Sequence, residues 1–179
     1  MQVGQPCQTQ GAATSGLDDC DLGLMCWAVD AETLTGVCVE LCGCGPEAPT
    51  CQGAGTTCTV TNGGNLPVCV ATCDPLADDC AEDFGCVSVD TQFVCAPMRA
   101  APAGPGEPCS ALNHCDDGLF CAEPPLVPNC TDTYCCTHFC DIDLGDTQCE
   151  IEGTSCVLWF EPNNAPQECL ADLGMCVAG

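Results

Sequence analysis

Lysine is absent from this chain, and arginine occurs once, at position 99. That scarcity excludes binding to nucleic acid or to an anionic membrane, since both need clustered Lys and Arg. It also excludes a phosphate loop, which requires its Lys. The 26 acidic residues are left almost without ionic partners, and at neutral pH their mutual repulsion opposes compaction. Aromatic residues are few: Trp27, Trp159, Tyr134 and five Phe. No stretch of ~18 apolar residues exists, so the sequence contains no membrane-spanning helix. With two histidines, no Gly-x-Ser-x-Gly motif and no Cys-x-x-Cys motif, neither hydrolytic nor redox catalysis is expected. Carboxylate pairs are so abundant that no one pair identifies a glycosidase. The sequence therefore reads as a non-enzyme.

Cysteine is plentiful, at 24 in 179 residues, above the ~8–10 % that marks a disulfide scaffold. A cytosolic protein would keep such thiols reduced, so the expected location is extracellular or at the cell surface. The chain enters its first cysteine unit directly from Met1-Gln2-Val3-Gly4, which places any export signal or anchor upstream of it. With 19 Gly and 14 Pro interrupting the apolar runs, each part of the chain buries only a small core. Cross-links must supply the missing stability.

The cysteine spacings resolve into a four-cysteine unit used five times. The units are Cys7, Cys20, Cys26, Cys38; Cys42, Cys51, Cys58, Cys69; Cys73, Cys80, Cys86, Cys95; Cys109, Cys115, Cys121, Cys136; and Cys140, Cys149, Cys156, Cys176. Five or six residues separate the second and third cysteines in every unit, and three-residue spacers join Cys38 to Cys42, Cys69 to Cys73 and Cys136 to Cys140. A polar, acidic loop precedes the second cysteine, as in Leu17-Asp18-Asp19-Cys20 and Ala77-Asp78-Asp79-Cys80. A β-prone run follows the third cysteine, and a second one carries the fourth, as in Cys86-Val87-Ser88-Val89 and Phe93-Val94-Cys95-Ala96. Asn62-Gly63-Gly64 is the clearest intervening turn signal.

Each unit thus reads as a loop feeding a β-hairpin. A lone hairpin is marginal in water, so bonds from loop to hairpin are needed, and the pairing expected is first to third and second to fourth. Four cysteines admit three pairings, and spacing alone does not choose among them. The fold class is small and disulfide-rich, mostly hairpins and loops, with little helix and five units in two lobes.

Residues 98–106, Met98-Arg99-Ala100-Ala101-Pro102-Ala103-Gly104-Pro105-Gly106, have the composition of a linker. They divide the chain into a three-unit lobe, 1–97, and a two-unit lobe, 107–179. Gly4-Gln5-Pro6-Cys7 and Gly106-Glu107-Pro108-Cys109 open both lobes alike. Cys44, Cys130, Cys135 and Cys169 lie outside the repeat, which gives each lobe an odd number of cysteines. Complete oxidation within one chain then needs a bond across the linker, from Cys44 to Cys130, Cys135 or Cys169. The alternatives are a free thiol in each lobe or a bond to another chain. Adjacent Cys135 and Cys136 are expected to bond elsewhere than to each other.

The openings at Gly106-Glu107-Pro108-Cys109 and His114-Cys115-Asp116-Asp117-Gly118-Leu119-Phe120-Cys121, with Asp19-Cys20-Asp21-Leu22-Gly23-Leu24-Met25-Cys26, carry a resemblance. They are similar to the cysteine-rich units of bacterial cell-surface proteins and lipoproteins, and more distantly to the Dickkopf N-terminal cysteine-rich module. The resemblance implies an extracellular, disulfide-bonded, non-enzymatic protein acting through protein contacts. The chain departs from that pattern in its near-total lack of basic residues and in Cys44 and Cys169.

Two metal chemistries can be weighed on spacing. Cys42-Gly43-Cys44 and Cys135-Cys136-Thr137-His138-Phe139-Cys140 have the ligand density of a thiolate site. Zinc sites, however, use paired short spacings at four ligands each; His138 and His114 read as bystanders. Calcium is the better candidate: Asp141, Asp143 and Asp146 space oxygens as a calcium loop does, and Glu152 stands twelfth from Asp141. The fifth and sixth positions are exchanged relative to an EF-hand, and a solvated acidic turn is the plainer account. No other cofactor is implied. Arg99 could act as protease bait, though exposure in a linker explains it more simply. The sequon Asn129-Cys130-Thr131 is expected to be unused if Cys130 is bridged. The leading expectation is a secreted or surface-anchored interaction module whose partner is an unidentified protein or surface ligand. A structural coat, matrix or filament component, joined between chains or by calcium, is the alternative.

Overall fold

The computed structural model describes the whole chain except residues 44–49, 62–65, 78, 163 and 167–169. Eleven strands are present among the described residues: β1 (Pro6–Gln8), β2 (Leu24–Trp27), β3 (Thr35–Glu40), β4 (Thr56–Thr61), β5 (Leu66–Ala71), β6 (Phe84–Val89), β7 (Gln92–Pro97), β8 (Leu119–Ala122), β9 (Cys135–Asp141), β10 (Thr154–Leu158) and β11 (Leu173–Ala178). Helix is confined to short 3-10 turns at Pro124–Leu126 and Gly145–Gln148 among these residues. The mostly hairpin, disulfide-rich class expected from composition is the class observed.

One local design recurs in every unit. The third and fourth cysteines stand directly opposite each other on paired antiparallel strands: Cys26 and Cys38, Cys58 and Cys69, Cys86 and Cys95, Cys121 and Cys136, Cys156 and Cys176. Opposed residues share a face of the hairpin, so their sulfurs leave side by side. Neither bonds the other. The third cysteine joins the first, in Cys7–Cys26, Cys42–Cys58, Cys73–Cys86, Cys109–Cys121 and Cys140–Cys156. The fourth joins the second, in Cys20–Cys38, Cys51–Cys69, Cys80–Cys95, Cys115–Cys136 and Cys149–Cys176. The loop before the hairpin is thereby laid across one face and fixed at two points.

Backbone bonds repeat with the sulfurs. The first cysteine of each unit meets the residue two before the fourth. Cys7 pairs with Gly36 and Cys140 with Gly174, while the N–H groups of Cys42, Cys73 and Cys109 donate to the carbonyls of Pro67, Phe93 and Tyr134. Three positions before the third cysteine, φ is positive in all five units: Gly23 (89°), Gly55 (70°), Asp83 (66°), Gly118 (74°) and Gly153 (87°). The next N–H closes a turn onto the carbonyl three residues back, as from Leu24 to Asp21 and from Leu119 to Asp116. Such turns need φ > 0 at their third residue, which glycine takes freely and Asp tolerates. The two matched openings also share their bonding. Gly4 and Gly106 donate to the carbonyls of Cys38 and Cys136, and the side chains of Gln5 and Glu107 cap the N–H groups of Gln2 and Gly104.

The chain divides into two compact units, Met1–Thr72 and Cys73–Gly179. The first holds the sheet β1-β3-β2 and the hairpin β4-β5; the second holds the hairpin β6-β7 and the sheet β10-β11-β9-β8. The division falls at Thr72 and Cys73 and not at 98–106, which lies inside the second unit. Aromatic packing is the physical reason. Phe93, on the third cysteine unit's hairpin, contacts Phe139, Trp159 and Phe160 of the last, with ring centroids 5.5, 5.7 and 6.4 Å apart. Phe120 closes the cluster against Phe139 and Trp159 at 4.9 and 5.0 Å, and Leu170 and Leu173 are buried with it. Such pairs stabilise by ~0.5–1.5 kcal/mol beyond their burial.

The 98–106 segment is itself bonded down. Ala103 is buried, its N–H donates to the His114 carbonyl at 2.7 Å, and its carbonyl accepts from Asp116 N–H at 2.9 Å. Asn113 Nδ2 donates to the Pro97 carbonyl, and Arg99 N–H to that of Asn113. The Arg99 side chain remains exposed. In the first unit, by contrast, the core around Cys7, Cys26 and Cys38 is mainly sulfur, with Leu24 and Val29 packed against it.

Close packing around the bridges gives a direct test. A Cβ at Gly174 would stand 2.8 Å from Cys156 Sγ, 2.9 Å from Cys140 Sγ and 2.9 Å from the Val157 carbonyl oxygen. Gly174→Ala should therefore destabilise the second unit by about 1–3 kcal/mol through overpacking. Guanidinium melts without reductant measure the loss; an unchanged midpoint would mean that the bridge does not pack on this strand.

Candidate functional site: an open groove on a covalent frame

Cys130 and Cys135 are bonded to each other, so two of the three partners considered for Cys44 are taken. This bond pins the long connection between β8 and β9, beside buried Val127 and Ala122. Cys44 and Cys169 lie outside the described residues, as do Asn62-Gly63-Gly64 and Asp78 of the Asp78-Asp79 pair. The sulfurs that crowd together, such as Cys7, Cys20 and Cys26 or Cys140, Cys149 and Cys176, all belong to disulfides. A bonded sulfur is not the thiolate that zinc requires. Cys42, Cys135, Cys136 and Cys140 of the thiolate-like stretches are bonded in the same way.

The carboxylates of the calcium-like loop have local duties. Asp141 Oδ1 accepts from Asp143 N–H at 2.8 Å, and Asp146 Oδ1 accepts from Cys156 N–H at 2.8 Å. Glu152 is exposed. Asp146 belongs to a wider pattern. Asp18 Oδ2 accepts from Cys26 N–H at 3.0 Å, and Asp117 Oδ1 from Cys86 N–H at 3.4 Å. In two units, then, a carboxylate of the unit's own loop holds the N–H of the third cysteine, and in the third unit Asp117 of the fourth does so. Some of the acidity is thus structural, with charge-assisted bonds in place of salt bridges. The acidic loop before the second cysteine was the available signal for Asp18 and Asp146, and its reach to the hairpin was not visible in spacing.

His138 sits on β9 opposite Leu119. Its Nδ1 is buried with no hydrogen-bond partner among the described residues, and its Nε2 lies 3.8 Å from Glu150 Oε2. Burial pushes its pKa below the ordinary 6.5, with the Glu150 charge pulling the other way. The unfolded chain therefore takes up the proton first. This contribution to stability is intact above pH 6.5 and is lost as pH falls below it. An NMR titration of His138 should give a midpoint under 6.5, and Glu150→Gln should move it lower still. A midpoint above 6.5 in the parent protein would contradict the assignment. His114 instead accepts at Nδ1 from Ser110 N–H, 3.2 Å away.

A surface depression lies wholly in the first unit. It is an open groove of about 720 Å³ whose lining includes Leu17, Leu24, Met25, Trp27, Leu41 and Asp18. The acidic loop forms one side of it, and the edge strand β2 contributes the Leu24–Trp27 stretch. Both are immobilised by Cys7–Cys26 and Cys20–Cys38 and by Asp18, which accepts from the N–H groups of Cys20 and Cys26. Leu17 is 63 % exposed and Leu41 40 %, so apolar surface faces solvent on a rigid frame. Sequence periodicity gave no sign of the groove, because its lining comes from four separate parts of the chain: the 9–18 loop, residues 24–29, Leu41 and Leu66.

Fold and site define a class: a disulfide-stabilised β-hairpin module whose form fits an oxidising, extracellular-type setting. Among the described residues no helix is long and apolar enough to cross a membrane. No protein-family model matches the chain, and comparison with curated proteins and with solved structures likewise gives no match.

Proposed function

We propose that this protein is a secreted or surface-anchored interaction module that acts by binding and performs no catalysis. The observation that supports this most is the constancy of the frame beside the variety of its connections. One two-bond hairpin is built five times, while the hairpin connection grows from two residues between β6 and β7 to the long segment between β8 and β9 that carries its own disulfide. Variable loops on a fixed scaffold are the usual arrangement for recognition. Rigid loops also bind without a large ordering cost. The cysteine-unit resemblance, which implies an extracellular protein acting through contacts, points the same way.

Intact mass without reductant, combined with sedimentation over a wide concentration range, tests the proposal. The expected result is a monomer one hydrogen lighter per cysteine than the reduced chain, 24 in all. A disulfide-linked series, or a polymer that grows with concentration or calcium, would instead establish a coat, matrix or filament component.

A further inference from the structure

We infer that the groove of the first unit receives a cationic peptide segment, one that seats an apolar side chain between Lys or Arg residues. This rests on the interaction-module proposal and specifies its partner chemistry. The apolar requirement comes from the lining: Leu17, Leu24, Met25, Trp27 and Leu41 all border the groove, and its volume falls in the ~300–1,000 Å³ range of binding pockets. Trp in such a lining is a common energetic anchor.

The cationic requirement comes from charge. Residues 1–72 contain no Lys, Arg or His. Asp18 lines the groove, Asp19 follows it, and Asp30 adjoins the lining residue Val29. Hydrogen bonds from the Thr33 and Glu32 N–H groups and the Thr33 hydroxyl hold the Asp30 carboxyl below its ordinary pKa, so it stays ionised at neutral pH. A cleft lined by one sign of charge concentrates the opposite sign and speeds its association. An acidic segment would meet like charge at every approach. A neutral apolar one would gain nothing from the field.

The two tryptophans make the test internal. Trp27 borders the groove, whereas Trp159 belongs to the aromatic cluster of the other unit. The ¹⁵N-labelled full chain is titrated with three blocked peptides of equal length: alternating Leu and Lys, alternating Ser and Lys, and alternating Leu and Glu. The Leu-Lys peptide should shift the indole signal of Trp27 and not that of Trp159. It should bind at least tenfold more tightly than either other peptide, and its association rate should fall with added salt.

Leu17→Lys and Leu41→Lys should each weaken Leu-Lys binding at least tenfold. Leu22→Lys, which makes the same charge change at a fully exposed position outside the groove, should alter it less than twofold. An intact mass without reductant equal to that of the fully oxidised variant verifies that each variant keeps its cysteines bonded. Equal binding of the Ser-Lys peptide, or equal weakening by Leu22→Lys, would reduce the effect to unspecific charge and overturn the inference. Absence of any Trp27 shift would overturn it too. A monomeric, fully oxidised protein that fails these titrations loses the groove proposal alone; a polymeric one loses the interaction-module proposal.

Discussion

Replacing Cys149 and Cys176 together by alanine should lower the unfolding free energy by about 3.5 kcal/mol, whereas replacing Cys130 and Cys135 should lower it by about 2 kcal/mol. The two bonds differ chiefly in the loop they close, spanning 27 and 5 residues. In the chain-entropy account a longer loop removes more freedom from the unfolded state, with the loss rising as the logarithm of loop length. Burial does not separate them: each joins a buried cysteine, Cys176 or Cys135, to a partly exposed one, Cys149 or Cys130. Guanidinium melts of the oxidised variants measure both. If the short-loop variant proved the less stable, loop closure would not be the main source of stability here.

The second large effect is expected at Phe93. Phe93→Ala should destabilise the second unit by about 3–5 kcal/mol, the usual loss for a buried aromatic ring. The ring is 2 % exposed and is shared among Phe139, Trp159 and Phe160. Its loss removes the apolar link between the β6-β7 hairpin and the four-stranded sheet. Phe93→Leu, which keeps most of the apolar volume, should cost less. Far-ultraviolet circular dichroism during denaturation gives the free energies, and Trp159 emission reports the local repacking. A loss under about 1 kcal/mol for the alanine variant would place the cohesion of this unit in its disulfides alone.

The repeated frame was legible because cysteine spacing records it directly. The pairing of first with third and second with fourth was the expected one of three that spacing leaves open, and the strands carrying the fourth cysteine stand where their β-branched runs place them. Other features needed the third dimension. Phe93, Phe120, Phe139 and Trp159 are far apart in the chain, and no local pattern announces that they meet. Ala, Pro and Gly at 98–106 read as a linker, yet Ala103 is small enough to bury while its backbone bonds His114 and Asp116. The left-handed position three before the third cysteine is glycine in four units, but Asp83 in the third hides its regularity. The Cys130–Cys135 bond was missed because parity arguments count cysteines and do not see how a connection folds back on itself. The groove was missed for a related reason: loop, edge strand and Leu41 converge from positions with no common period.

What holds the polypeptide together is tested most directly by a thermal melt followed by far-ultraviolet circular dichroism, with and without a strong phosphine reductant at neutral pH. With 11 bonds among the described residues, distributed over all five units, and strong acidic repulsion throughout, the reduced chain should lose its cooperative transition and most of its strand signal at room temperature. A reduced chain that kept its spectrum and melted at the same temperature would contradict the account.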